Sequence, residues 1–409
     1  MSTMSMNIES HLRPDMPPAG GRWTGFPTYN FVGGHNDAAT VPVDELRAAA
    51  DAVLTREGRT LATYGLESGP MGYRPLRAFI ADKLQSRAAM TIDPDDILVT
   101  SGSLQALDLV NGTFLSPGDT VIVEEASYGG ALTRLQRLGV HYVPVPVDQD
   151  GIVVSALAEI LDRLAKDGTS AKFLYTIPTV QNPTGGVMTE ARRREILTLA
   201  QRYDLLIFED DCYADLLWDG ERPPTLHALD PDGRVVYCGS FSKSVAPALR
   251  VGYLTAPWPV MSRILSLKTD AGSGALEQMI LAEFAPGHFD SHVQTLQKAL
   301  RAKAEATVSA LEQQFGSAAE FDMPRGGIFL WVTLPDTVDT TKLASVALAE
   351  GVAINPGAEW SADPEAGRNK LRICFGHPTP EILQEGIAKL ADICHREFGV
   401  PKHSANVAR

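Results

Sequence analysis

No run of roughly twenty apolar residues, the length a bilayer-crossing helix needs, occurs in the 409-residue chain, which argues against a membrane span. Cysteine is scarce: Cys212, Cys238, Cys374 and Cys394 stand far apart and form no paired metal-ligand spacing. Reduced thiols in a cytoplasmic protein are expected, not a disulfide framework. Basic clusters are short, the longest being Arg192-Arg193-Arg194, and the formal net charge is −14. Such a field repels phosphate backbones and anionic lipid, so neither nucleic acid nor a membrane surface is expected as a partner. The arginine triplet falls in an amphipathic helix over Thr189 to Tyr203 and reads as a solvated face. Repeats, heptads and low-complexity tracts are missing, and Met1 to Asp15 carries Glu9, Arg13 and Asp15 without the apolar core of a secretion signal.

What is present is an ordinary globular composition, 44% hydrophobic and 21% charged. The length exceeds what one core supports, which implies a large domain and a smaller one. From Asp96 onward short Val/Ile-rich runs alternate with helical spacing, the pattern of an α/β sheet with crossover helices. Strands are predicted at Ile97–Thr100, Thr120–Glu124, His141–Val145, Ala171–Ile177, Leu205–Glu209, Val235–Cys238 and Val251–Thr255, with helices at Leu104–Leu115, Gly130–Leu138, Ser155–Lys166 and Thr189–Tyr203. A long connecting helix should lead to a second, α+β unit with strands at Ile328–Leu334, Val352–Ile354 and Leu371–Cys374. The Gly-, Pro- and Asn-rich segment before Val43 reads as an arm. The division is thus an arm over 1–42, a large domain over 43–290 and a small domain over 291–409.

The most informative stretch is Gly239-Ser240-Phe241-Ser242-Lys243, which joins a strand to a proline-broken loop ending in Leu249-Arg250-Val251-Gly252. A lysine attacks an aldehyde only as the free amine, and desolvation beside other cations lowers its pKa enough for Schiff-base chemistry. Ser240, Ser242 and Arg250 would offer hydroxyls and a fixed guanidinium to a phosphate dianion nearby. Most loop lysines are solvated charges, so Ser-x-Ser-Lys alone is weak.

Further parts fall at fitting places. Asp210, in Glu209-Asp210-Asp211-Cys212-Tyr213, lies at the carboxyl end of a predicted buried strand, where open α/β sheets bind ligands. A carboxylate there can keep a pyridinium nitrogen protonated, making the ring an electron sink, and Tyr213 can hydrogen-bond a phenolic oxygen. Asn182, in the rigid turn Gln181-Asn182-Pro183-Thr184-Gly185, is suited to donate to the same oxygen. Ser101-Gly102-Ser103-Leu104 joins a strand to a helix whose free N–H groups and dipole favour an anion. Taken singly, these are also common turns and helix caps.

In this order, Ser-Gly-Ser, Asn-Pro-Thr-Gly, Asp-Asp-x-Tyr, Ser-x-Ser-Lys and Leu-Arg-x-Gly, the motifs resemble those of the fold-type I, class I/II aminotransferases. The resemblance is strongest to the branch with 2-aminoadipate and kynurenine aminotransferases and covers about Asn30 to Leu390. It implies a fold-type I architecture: a large domain with a mostly parallel seven-stranded sheet flanked by helices, plus a smaller α+β domain. Pyridoxal 5′-phosphate is the implied cofactor, held as a Schiff base on Lys243, and an amino acid and a 2-oxo acid are the implied substrates. Tyr128 matches the aromatic ring that stacks on the pyridine, although many relatives have proline where this chain has Ala126. Tyr64 matches a tyrosine that reaches the phosphate of a neighbouring subunit, which implies a homodimer. Arg372 matches the arginine that grips the substrate α-carboxylate, and an arginine inside an apolar strand independently suggests a buried anion. Gly34-His35-Asn36-Asp37 stands where the family often has Gly-x-Pro-Asp beside the substrate, so Asn36 departs from the pattern.

The expected activity is amino-group transfer by a ping-pong mechanism, with Lys243 as general base and 2-oxoglutarate as one acceptor. In the arm, Arg22, Trp23, Phe26 and Tyr29 could meet an acidic or an aromatic side chain, and Arg22 is the candidate for a distal carboxylate. Two alternatives stand beside this. One is another pyridoxal-phosphate reaction on the same scaffold: a lyase, decarboxylase, racemase or aldolase. The other is a ligand sensor like the aminotransferase-like domain of certain transcription regulators, against which stands the expectation that the residues before Val43 are too few for a helix-turn-helix domain.

Overall fold

The computed structural model describes residues 6–403 except positions 15 and 18, so the reading of Met1 to Asp15 lies partly outside the described residues. The apolar runs form β1 (Ile97–Thr100), β2 (Thr120–Glu124), β3 (His141–Val145), β4 (Ala171–Thr176), β5 (Leu206–Asp210), β6 (Val235–Ser240) and β7 (Gly252–Thr255). They make one seven-stranded sheet in the order β1-β7-β6-β5-β4-β2-β3. β7 runs antiparallel to both neighbours, and the other pairings are parallel. β1 and β2 are buried along their whole length, as a sheet covered on both faces requires. The edge strand β3 is partly exposed and contains Pro144, whose missing N–H is tolerated at an edge.

Helices α1 (Val43–Glu57) and α2 (Arg74–Ala88) precede the sheet, and α3 (Ser103–Phe114), α4 (Gly129–Arg137), α5 (Val154–Lys166) and α6 (Glu190–Arg202) follow β1 to β4 in turn. The predicted connector is α7 (Ala275–Phe315), a single helix of 41 residues that contains Pro286 and runs past position 290 without interruption. Beyond it, β8 (Phe329–Thr333), β9 (Asn355–Pro356) and β10 (Lys370–Cys374) form an antiparallel sheet ordered β8-β10-β9, accompanied by α8 (Thr340–Ala349) and α9 (Pro380–Phe398). Among the described residues no helix is long and apolar enough to cross a membrane.

Two sequence expectations are corrected. The run Val352–Ile354 does not enter the small sheet: Val352 and Ala353 pair in parallel with Tyr29 and Asn30 of the arm, and the sheet's third strand is Asn355–Pro356. Only two arm residues pair, too few for a visible period. Arg193 is not a solvated charge. It shares the inward face of α6 with Ile196, Leu197 and Ala200, is fully buried, and donates to the Pro178 carbonyl (3.0 Å) and Thr179 Oγ1 (2.9 Å).

Candidate active site

The loops after β1, β2, β4, β5 and β6 meet around a recess of about 110 Å³ whose lining includes Ser103, Leu104, Tyr128, Asn182, Asp210, Tyr213, Ser240, Ser242, Lys243 and Arg250. Tyr128, Tyr213 and Lys243 also face a wider cleft of about 620 Å³ that includes Gly33, Gly34, Asn355, Trp360 and Arg372. Residues from distant parts of the chain therefore line adjoining cavities at the carboxyl ends of the parallel strands, where α/β sheets take ligands.

Ion pairing alternates along the three carboxylates Glu209-Asp210-Asp211 because strand side chains alternate between faces. Glu209 lies 3.8 Å from Arg193, and Asp211 pairs with Arg222. Asp210 points the other way and has no ion pair among the described residues; it accepts from the Tyr175 hydroxyl (2.8 Å) and the Cys212 N–H (3.4 Å). Burial pushes its pKa up. A carboxylate left without a cation in a dry recess fits a cationic ring nitrogen.

Lys243 has no carboxylate partner either, and its Nζ donates to the Gly34 carbonyl at 2.6 Å. Burial lowers its pKa, and Arg372 and Arg250 push the same way, so the free amine is favoured. Above it, Asn182 Nδ2 donates to the Tyr213 hydroxyl (3.4 Å) while Asn182 Oδ1 accepts from Arg372 Nη1 (3.1 Å). Arg372 Nη2 donates to the Gly33 carbonyl and to Asn355 Oδ1, each at 2.9 Å. Its guanidinium lies 3.6 Å from the Trp360 ring centroid and 4.6 Å from that of Phe329, and its buried Nε has no partner. Burial lowers the pKa of this group as well.

At the start of α3 Gly102 is the N-cap and no side chain caps the free N–H groups, an arrangement that favours an anion. Gly102 has φ +75°, and a Cβ there would fall 2.2 Å from Arg250 Nη2, so only glycine lets the guanidinium come this close. Arg250 Nη2 donates to the Ser101 carbonyl at 3.1 Å, and the Ser240 hydroxyl accepts from the Ser242 N–H at 3.0 Å. A cation, hydroxyls and uncapped amides at one end, with an unpaired carboxylate at the other, match the two ends of pyridoxal phosphate.

Two expected residues stand apart. Tyr64 is 90% exposed and borders a different cavity, with Tyr73 and Gln278. Arg22 lies in the exposed arm and does not line the cleft, although nearby Phe26 packs edge-on against His35 at 5.2 Å. Sequence reasoning missed Tyr175, Trp360 and Phe329, whose aromatic rings inside strands and turns look like ordinary core. It also missed Glu124 and Gln181. Glu124 is fully buried and accepts from Thr176 Oγ1 (2.6 Å), the Ile177 N–H and Gln181 Nε2 (2.9 Å), which ties the end of β2 to the turn that presents Asn182.

The fold and this constellation define a fold-type I pyridoxal-phosphate enzyme. Comparison with known proteins narrows the class. The family model for aminotransferase class I and II matches residues 31–390. An aromatic-amino-acid aminotransferase of Thermococcus litoralis is 35% identical over 90% of this chain and 88% of its own length. An uncharacterised HTH-type transcriptional regulator of Bacillus subtilis is 34% identical over 80% of this chain and 66% of its own. The crystal structure of the α-aminoadipate aminotransferase LysN from Thermus thermophilus, complexed with N-(5′-phosphopyridoxyl)-L-leucine, superposes with a TM-score of 0.84 at 32% identity, covering 91% of this chain and 93% of that one. The chain belongs to the aminotransferase class I and II family, and its activity is pyridoxal-phosphate-dependent transamination.

Burial of Glu124 raises its pKa to about 7 from an ordinary 4.5, against the opposing hydrogen bonds of Gln181 and Thr176. The folded protein holds this proton where the unfolded chain has lost it, so the associated stability is complete below pH 4.5 and is lost as pH rises through about 7. Glu124→Gln removes that dependence: relative to the parent, it should gain about 2.5 kcal/mol between pH 5 and pH 8 in denaturant unfolding. A parent-minus-variant difference that stays flat with pH would show that Glu124 does not carry the proton.

Proposed function

We propose that Lys243 carries the cofactor and, once freed by an incoming amino acid, moves the substrate α-proton, while Arg372 holds the substrate α-carboxylate. The observation that carries this is a pair of basic groups, the partly buried Lys243 and the buried Arg372, that face one cleft and have no ion pair among the described residues, although Glu359 lines the same cleft. Pyridoxal phosphate supplies an aldehyde and an electron-accepting ring when bound. Its phosphate would be held by Ser101, Gly102, Ser103, Leu104, Ser240, Ser242 and Arg250, its ring by Asp210 and Tyr128, and its phenolic oxygen by Asn182 and Tyr213. Lys243, lacking a counter-charge, starts as the neutral amine and takes the proton from the substrate α-carbon. Arg372, pinned in its plane by Asn182, Asn355 and two rings, orients that carbon over the lysine.

The donor we favour is an amino acid with a bulky side chain, since Tyr128, Leu132, Tyr142 and Trp360 line the cleft. 2-Oxoglutarate is the proposed acceptor, with Arg22 meeting its distal carboxylate when the arm lies over the cleft. A homodimer is proposed, with the exposed Tyr64 of each copy reaching the phosphate seat of the other, in a cytoplasm that keeps the four buried cysteines free. We retain the division into an arm (1–42), a large domain (43–290) and a small domain (291–409), with α7 continuous across the second boundary.

In single turnover with a panel of L-amino acids and no oxo acid, the loaded protein should release one 2-oxo acid per site. Lys243→Ala should bind cofactor yet lose turnover, and Arg372→Ala should raise the donor KM about a hundredfold or more. Near-normal kinetics in either variant would remove that residue's role. Arg22→Ala should weaken 2-oxoglutarate about tenfold while leaving pyruvate unaffected, as expected for one partly exposed charge contact; equal effects on both acceptors would exclude the distal contact. Light scattering should give twice the chain mass, and Tyr64→Phe should weaken cofactor retention without changing that mass. A monomer with full activity would overturn the shared-site arrangement.

A further inference from the structure

The segment Gly33-Gly34-His35-Asn36-Asp37 touches the catalytic lysine at two points. Lys243 Nζ donates to the Gly34 carbonyl at 2.6 Å. A Cβ on Gly34 would fall 2.6 Å from that nitrogen and push the amine aside. Asn36 Nδ2 donates to the Lys243 carbonyl at 3.2 Å and to the Val245 carbonyl at 3.3 Å. Asn36 is buried, and its Oδ1 has no partner, yet the amide cannot turn over: the reverse orientation would set an acceptor against two carbonyl oxygens. The same segment is anchored on its far side. Lys303 of α7 pairs with Asp37 at 3.0 Å and donates to the Gly376 carbonyl at 3.0 Å, while His377 Nδ1 lies 3.3 Å from the Asn36 carbonyl.

Resting on the assignment of Lys243 as the reacting amine, we propose that Asn36 is a positioning residue for it. Asn36 fixes the lysine's main chain through two carbonyls while the Gly34 carbonyl receives the amine, so the arm segment sets where the proton-moving nitrogen lies. A proline at this position, the residue often found in the family, has no side-chain N–H to do this. The titratable and charged groups facing Lys243 are Arg372, Arg250, His35, Cys374, Cys212 and Tyr213; alanine or serine at position 36 adds no charge to this set, whereas aspartate adds a carboxylate.

The test uses Asn36→Ala, Asn36→Asp and Asn36→Ser, each loaded with pyridoxal phosphate. The pH midpoint of the visible absorbance of the lysine-bound cofactor is measured beside kcat and KM. Loss of both N–H groups in the alanine and aspartate variants should move the midpoint by about half a unit or more and lower kcat about tenfold with donor KM nearly unchanged. Serine, which keeps one hydroxyl donor, should fall between them and the parent, and it decides the matter if the aspartate protein does not fold. Parent-like midpoint and kcat in alanine and serine would overturn the positioning role. A parent protein that develops no visible band would instead overturn the assignment of Lys243 itself.

Discussion

Uncompensated charge in a dry cavity is the constraint on which the site depends. Asp210 and Arg372 are buried, Lys243 is partly buried with its free amine favoured, and none has an opposite charge within ion-pair distance among the described residues. Removing such groups from water costs several kcal/mol each, a cost that only a bound partner of the right sign and shape offsets. The surrounding protein treats its other buried charges differently. Glu209 has Arg193, Asp211 has Arg222, and Lys83 lies 2.9 Å from Asp215. Glu124 is held by neutral donors and a raised pKa instead of a cation, whereas Asp210, Lys243 and Arg372 meet around adjoining cavities, the arrangement on which the proposed ligand roles rest.

The supporting scaffold explains how such bare groups stay in place. Each is gripped by neutral dipoles instead of counter-ions: Asp210 by the Tyr175 phenol, Lys243 by the Gly34 carbonyl, and Arg372 by Asn182, Asn355 and Gly33. Dipoles fix direction without cancelling net charge. Asn182 holds Arg372 and at the same time donates to the Tyr213 hydroxyl, and its turn is itself held by Gln181 and Glu124.

Much of this was legible in the sequence, and the limits have physical causes. The strands of the large sheet could be located because both faces are buried, which leaves short apolar runs bounded by turns. Asp210, Asn182 and Lys243 could be placed because each follows such a run directly. The partner of Val352–Ala353 could not, since a two-residue pairing with the arm leaves no pattern. Arg193 misled because a guanidinium that satisfies its donors on carbonyls looks, in sequence, like any surface charge. Trp360 and Tyr175 were missed for the converse reason: an aromatic residue in an apolar context carries no sign that its ring or hydroxyl is addressing a functional group. Asn36 could be flagged as a departure from the family pattern, but its two bonds cross more than two hundred residues of chain.

The closeness of Arg372 to Trp360 and Phe329 bears on what the cleft refuses. Three of the N–H bonds in its fork are already engaged and two rings lie close to it, which holds the group in the cleft. An amine without a carboxylate, however well its side chain fits, would have to seal that cation away unanswered. If Arg372 holds the substrate α-carboxylate as proposed, decarboxylated amines that share a side chain with the donor would be rejected by the cost of stranding a charge, with no steric gate required.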